Sequence, residues 1–122
     1  LLLGKKQRGA LLGQWNGFGG KVEYGLETIA ESAARELKEE AFLSAPLFPI
    51  GFIQWAVSSP GEATYRDVMV VFKAHSCQWI DPPASDEMAP AWWDIDALPW
   101  DAMRINHKIW YPFMLADRPY RG

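Results

Sequence analysis

The sequence predicts an α/β protein, an α/β/α sandwich around a mixed sheet, formed as a single domain over residues 1–122. Three observations predict it. A strongly patterned helix starts near Thr28, two long apolar strands follow at Leu47 to Val57 and Tyr65 to Ala74, and a second helical stretch precedes the C-terminal end. At 122 residues the chain can bury one real core but not two.

Leu1 to Leu3 form the end of a strand, and Lys5 to Gly9 a basic loop open to solvent or phosphate. Trp15 to Val22 gathers three glycines in a turn, where backbone amides approach an anion closely and Lys21 adds charge; a short strand follows it. The long helix runs from Thr28 to about Leu43, capped by Glu27 or Thr28, with Ile29, Ala33, Leu37 and Ala41 as an apolar stripe. Phenylalanine stands at position 42, a poor residue for a left-handed cap, so the helix is expected to continue toward Ser44 or Ala45 until Pro46 stops it. In the strand Tyr65 to Ala74, the Val-Met-Val-Val-Phe run implies burial on both faces. Ser76 to Pro90 is a loop, Ala91 to Ile95 a short strand, and Asp96 opens a second helix that reaches Leu115 with an interruption near Pro112. Pro119 to Gly122 is a tail.

A net charge of −3 and the lack of a basic stripe argue against duplex nucleic acid as a partner, leaving small nucleotides. One cysteine, Cys77, rules out an internal disulfide and fits a reducing cytoplasm. No apolar run approaches the roughly 20 residues that span a bilayer, so no membrane partner is expected.

The chemistry concentrates in Arg35-Glu36-Leu37-Lys38-Glu39-Glu40. On a helix Glu36 and Glu40 stack one turn apart, Glu39 lies on the next ridge, and Arg35 sits one turn below Glu39. Clustered carboxylates repel, and one arginine does not neutralise three. A divalent cation does, and oxygen ligands suit Mg²⁺, with Mn²⁺ as substitute. The competing reading is a solvated helix face, since Glu and Lys are good helix formers.

A glycine turn, Glu27, and seven residues later Arg-Glu-Leu-x-Glu-Glu together resemble the Nudix hydrolase family, whose box reads G-x5-E-x7-R-E-U-x-E-E-x-G-U with U aliphatic. Six residues rather than five separate Gly20 from Glu27, and Phe42 replaces the closing glycine. Gln14 to Val22, Ser85-Asp86-Glu87-Met88, Leu98-Pro99 and Trp110-Tyr111-Pro112 extend the resemblance to the MutT-like branch that hydrolyses oxidised purine nucleoside triphosphates.

That resemblance implies a Nudix-type sandwich whose usual first strand would lie ahead of Leu1. It implies a house-cleaning, metal-dependent pyrophosphohydrolase that converts a purine nucleoside triphosphate and water to the monophosphate and pyrophosphate. Glu36, Glu39, Glu40 and the Gly20 carbonyl would hold Mg²⁺, Glu87 would approach it, and Arg35 would orient a carboxylate. Glu39 or Glu40 would stand near the attacking water, with Glu87 as the rival base. Asn16 would hydrogen-bond the purine, Trp55 would lie against it, and Lys6 and Lys21 would serve the phosphates.

Where that branch sets a tryptophan and an Asp-Asp pair over the base, this chain has Arg104, Asn106 and His107. Arg104 stacks or holds a phosphate and Asn106 reads a base edge, or all three are surface residues. His75 and His107 lack ligand spacing to each other, which argues against zinc. The same box serves nucleoside-diphosphate-sugar and dinucleoside-polyphosphate hydrolases, and the contrasting class is a non-catalytic nucleotide-binding module; Asn16 and the intact glutamates turn away from these. A strand missing from the sheet would bare an edge, such as that of Tyr65 to Ala74, and a homodimer would cover it, with Phe113 and tryptophans at the interface.

Overall fold

In the computed structural model, which describes residues 1–75, 80–118 and 120–121 (of Tyr120 the backbone alone), the strands form two three-stranded sheets. The order along the chain is β1 (Leu2–Lys6), β2 (Trp15–Asn16), α1 (Ile29–Ala41), β3 (Leu47–Val57), β4 (Tyr65–Ala74), β5 (Met88–Trp92), α2 (His107–Leu115) and β6 (Tyr120–Arg121). The first sheet, β2-β1-β5, is antiparallel, with Leu2 opposite Trp92 and Lys6 opposite Met88. The second, β4-β3-β6, is mixed: β4 runs antiparallel to β3 from Leu47–Ala74 to Val57–Tyr65, and β6 runs parallel to it at Gly51 and Phe52. The α/β class holds, but one expected sheet is two. Each central strand has both edges occupied, so among the described residues no ladder joins β1 to β3.

The core lies around Leu3, Leu98, Met103, Tyr111 and Met114, between the first sheet and α2. Trp15, Trp93, Trp100 and Trp110 close its rim, with Trp15 and Trp93 edge to face at 5.0 Å. Burying these aromatics accounts for a large share of the driving force, since each hides a large apolar area. The glycine turn leans on this sheet because Gly4 has no side chain: a Cβ there would stand 2.9 Å from Phe18 and 2.7 Å from Met88.

Several boundaries differ from the sequence reading. β1 extends to Lys6, so Lys5 and Lys6 are strand residues rather than loop, held by the Met88–Ala89 side of β5. The glycine turn is preceded by strand, at Trp15–Asn16, and followed by none. α1 stops at Ala41 rather than running to Ser44, because Phe42 adopts the left-handed conformation (φ 54°) and its N–H caps the Lys38 carbonyl. β4 is not buried on both faces: Tyr65 and Val68 are exposed. β5 begins at Met88, three residues early, because Ser85 ends the loop by turning its hydroxyl onto the Met88 amide. The second helix is split into a 3-10 turn at Trp100–Ala102 and α2, with Met103 extended between them. Pro112 does not interrupt α2; it would deprive only the Lys108 carbonyl of its partner, and Lys108 is exposed to water. The expected tail supplies β6, and Cys77 lies outside the described residues.

Candidate active site

α1 sets the site. Thr28 caps it, its hydroxyl accepting the Glu31 N–H at 3.1 Å, which fixes the start and hence the rotation of every later side chain. That rotation turns Ser32 and Glu40 inward as fully buried residues and leaves Ile29 and Glu39 outside. The expected apolar stripe is buried only at its Ala41 end, and of the three acids Glu36 and Glu40 face inward while Glu39 meets water.

Arg35 is the hub. Its Nε and Nη2 donate to the two oxygens of Glu27 at 2.9 and 2.8 Å, a paired contact of the strongest kind, and its Nη1 donates to Glu36 and Glu39, both at 3.1 Å. Nη2 also reaches the Lys21 carbonyl at 3.3 Å, tying the glycine turn to the helix. These hydrogen bonds hold the Glu27 carboxyl down at about 2, helped by the Glu23 N–H, and raise the Arg35 guanidinium.

Glu40 differs from its neighbours. Burial pushes its carboxyl up to about 7, with Glu36 and Glu87 adding repulsion; the Gly19 N–H, at 3.3 Å, and Lys6 oppose the shift. Burial likewise raises Glu36, against the pull of Arg35. A Cβ on Gly20 would lie 2.1 Å from Glu36 Oε1, so the carboxylate packs directly on the glycine backbone. Among the described residues no three acidic, histidine or cysteine side chains already converge as a metal cage, because Arg35 lies between Glu36 and Glu39. The donor set nevertheless suits a hard cation: all oxygen, beside a buried carboxylate, Glu40, that has no ion-pair partner among the described residues.

This geometry sits on a sequence whose residues 1–114 match the NUDIX domain model. The chain belongs to the Nudix hydrolase family. Over 123 residues the Nudix chain is 43% identical to the oxidized purine nucleoside triphosphate hydrolase of Danio rerio, the match taking in 100% of this chain and 76% of that one. The Mus musculus protein of the same name is 36% identical over the same shares. Among solved structures, a MutT NUDIX hydrolase from Burkholderia pseudomallei superimposes with a TM-score of 0.64 at 28% identity, covering 80% of this chain and 75% of that one. A NUDIX hydrolase from Nitrosomonas europaea shares the fold with a TM-score of 0.65 at 21% identity, over 99% of this chain and 68% of its own.

Around the Nudix box the other expected residues divide. Lys6 lies on β1 close enough to act on Glu40, and Glu87 close enough to repel it. The Glu87 carboxylate itself is paired with Arg8. Asn16 uses its Oδ1 on the Gly17 N–H at 2.9 Å, shaping the glycine turn, and Lys21 contributes its carbonyl through Arg35. Trp55 stands half-exposed on β3 opposite Asp67. Arg104 is exposed before α2, whereas Asn106 and His107 turn inward and each buries a polar atom, Oδ1 and Nδ1, that meets no hydrogen-bond partner among the described residues. His107 stacks on Tyr111 at 4.7 Å, and burial, with the Arg104 charge, lowers it to about 4.

Sequence reasoning placed Gln7 and Arg8 only in a basic loop and Ser85 only in a run of the resemblance, and missed the contacts that all three make. The Ser85 hydroxyl donates to the Glu40 carbonyl at 3.1 Å and accepts the N–H groups of Met88 and Glu87 at 3.0 and 3.3 Å, joining the end of α1 to the loop that carries Glu87. Ser-Asp-Glu before a strand is an ordinary turn, and nothing local announces a partner 45 residues away.

Proposed function

We propose that the chain is a Mg²⁺-dependent pyrophosphohydrolase of purine nucleoside triphosphates, releasing the monophosphate and pyrophosphate in a house-cleaning role in the cytoplasm. Members of the family work with a divalent cation, and the relatives named above support the substrate class. The observation that carries the reading is the placement of Glu40, buried on α1 with the Gly19 N–H on its carboxylate and with Glu36 packed on Gly20 beside it, an all-oxygen set that suits a hard cation.

Glu36, Glu39, Glu40 and the Gly20 carbonyl would hold the ion, with Glu87 reaching toward it. When bound, Mg²⁺ supplies phosphate neutralisation and a more acidic water. The chain's own residues do the rest. Arg35, anchored by Glu27, orients Glu36 and Glu39; Glu39 or Glu40 accepts a proton from the attacking water, with Glu87 as the other candidate base. Lys6 and Lys21 answer the phosphate charge, Trp55 offers a stacking face, and Asn16, Asn106 and Arg104 bear on the base or its phosphates.

A homodimer belongs to the same proposal. Among the described residues nothing pairs with the outer edge of β4, where Tyr65 and Val68 are exposed, and bare edges invite pairing. Light scattering across a dilution series tests it, a monomer throughout removing it. Among the described residues no helix is long and apolar enough to cross a membrane.

The deciding experiment is a pyrophosphate-release screen of nucleotides with Mg²⁺. Purine nucleoside triphosphates should lead; preference for nucleotide sugars or dinucleoside polyphosphates, or no turnover at all, would overturn the reading.

A further inference from the structure

Arg8 Nη2 meets Glu87 Oε1 at 2.6 Å, bringing the β1–β2 loop onto the loop before β5, and both side chains remain open to water, 62% and 42% exposed. Gln7, beside it, fixes the same loop by its backbone: its N–H donates to the Glu87 carbonyl at 2.9 Å, and its side-chain amide donates to the Ser85 carbonyl. The two contacts have separate jobs. Gln7 and Ser85 determine where Glu87 stands, and Arg8 is the one ion-pair partner of its carboxylate among the described residues. Glu87 stands close enough for its charge to act on both Glu36 and Glu40. Arg35 is no substitute counter-ion, since Glu27, Glu36, Glu39 and the Lys21 carbonyl already engage it. An exposed ion pair is weak and exchanges readily, and a guanidinium fork fits phosphate as well as it fits carboxylate.

We propose that Arg8 is a shared counter-ion: it neutralises Glu87 before cation and nucleotide arrive, then passes to a phosphate oxygen of the triphosphate and releases the Glu87 carboxylate to the cation. Arg8 is thus a positioning residue that couples substrate arrival to completion of the acidic site, competing with the cation for Glu87 and with Glu87 for phosphate. This rests on the cation reading given under the proposed function.

The test is a Mn²⁺ titration of nucleotide-free protein, with free ion followed by electron paramagnetic resonance, for wild type, Arg8→Ala, Glu87→Gln and the double variant. Arg8→Ala should bind Mn²⁺ about two- to fivefold more tightly, the range an exposed ion pair allows. In the Glu87→Gln background the same change should have no effect. A second titration, with inorganic tripolyphosphate and no metal, should show weaker binding by Arg8→Ala. Unchanged or weaker Mn²⁺ binding by Arg8→Ala, or an equal gain in the Glu87→Gln background, overturns the proposal, the latter meaning that only the overall field changed. Unchanged tripolyphosphate binding removes the transfer to phosphate. No Mn²⁺ binding by wild type defeats the cation reading, and this proposal with it.

Discussion

The second half of α1 and the start of α2 both carry polar groups into the interior, and they treat them in opposite ways. Around Arg35 every nitrogen of the guanidinium finds an oxygen, and Glu27 is held by three hydrogen bonds. At α2, Asn106 Oδ1 and His107 Nδ1 are buried without a partner among the described residues, where a missed hydrogen bond costs about 1–3 kcal/mol each. The first region satisfies its polar groups from within; the second leaves two hydrogen-bonding atoms unused among the described residues. The regions proposed for catalysis and for recognition thus differ in how fully their own polar groups are satisfied.

The largest effects should come from breaking the first region. Glu39→Gln and Glu40→Gln should each lower kcat by about a hundredfold or more, since a proton acceptor or cation contact is lost from an isosteric side chain. Glu40→Gln has a second signature. The folded carboxyl titrates at about 7 against 4.5 as the unperturbed value, so the wild type is favoured below 4.5 and loses stability as pH rises through 7. In metal-free buffer above that pH the Gln variant should therefore melt higher than wild type. Near-normal turnover in both variants with unchanged circular dichroism would dissolve the distinction between the two regions.

Breaking the second region should change recognition and spare chemistry. Asn106→Ala in this region, and Trp55→Ala on β3, to which the proposed function gives a stacking face, should each raise KM for purine triphosphates by an amount equivalent to about 1–3 kcal/mol while leaving inorganic tripolyphosphate hydrolysis nearly unchanged. Equal losses on both substrates would make these residues structural.

His107 sharpens the comparison through pH. Its folded value of about 4 lies below the ordinary 6.5, because burial opposes the charge, so between these values the unfolded chain takes up a proton that the folded one refuses. The stability from His107 is complete above 6.5 and is lost as pH falls toward 4, on the order of 2 kcal/mol. His107→Gln should flatten that limb of the Tm profile; parallel wild-type and variant profiles would refute it.

The unequal legibility of the two regions has a physical basis. Arg35, Glu36, Glu39 and Glu40 lie on one helix, so spacing gave the contact of Arg35 with Glu39 but not its pairing with Glu27, which precedes the helix; β3 and β4 were readable to the residue from their apolar runs. The division into two sheets, the early start of β5 and the pairing of Glu87 with Arg8 depend on contacts between segments tens of residues apart, which no local pattern carries. The second helix was misjudged because Pro112 is tolerated at a position open to water and the actual break falls at Met103, an extended residue with nothing distinctive about it in sequence.

Phe42 shows how a strained residue serves the site. A phenylalanine at φ 54° is uncomfortable, and Phe42→Gly should raise stability by up to about 1 kcal/mol in a denaturant titration, the relief of strain exceeding the added freedom of the unfolded chain. No gain would mean that the half-exposed ring has contacts worth keeping.

The turn at Phe42 also decides what the Glu40 carbonyl can do. In a helix continued to Ser44, that carbonyl would be consumed by the Ser44 N–H; because the chain turns away, it is left for the Ser85 hydroxyl. Helix termination therefore creates the fastening point of the Glu87 loop, and the fastening is a side-chain hydroxyl that also receives the Glu87 and Met88 amides. Those two amides share one protector, so they should exchange with solvent deuterium together, and the breathing of the loop before β5 should respond to the fraying of the last turn of α1 as well as to the opening of the Gln7 contacts beside β1.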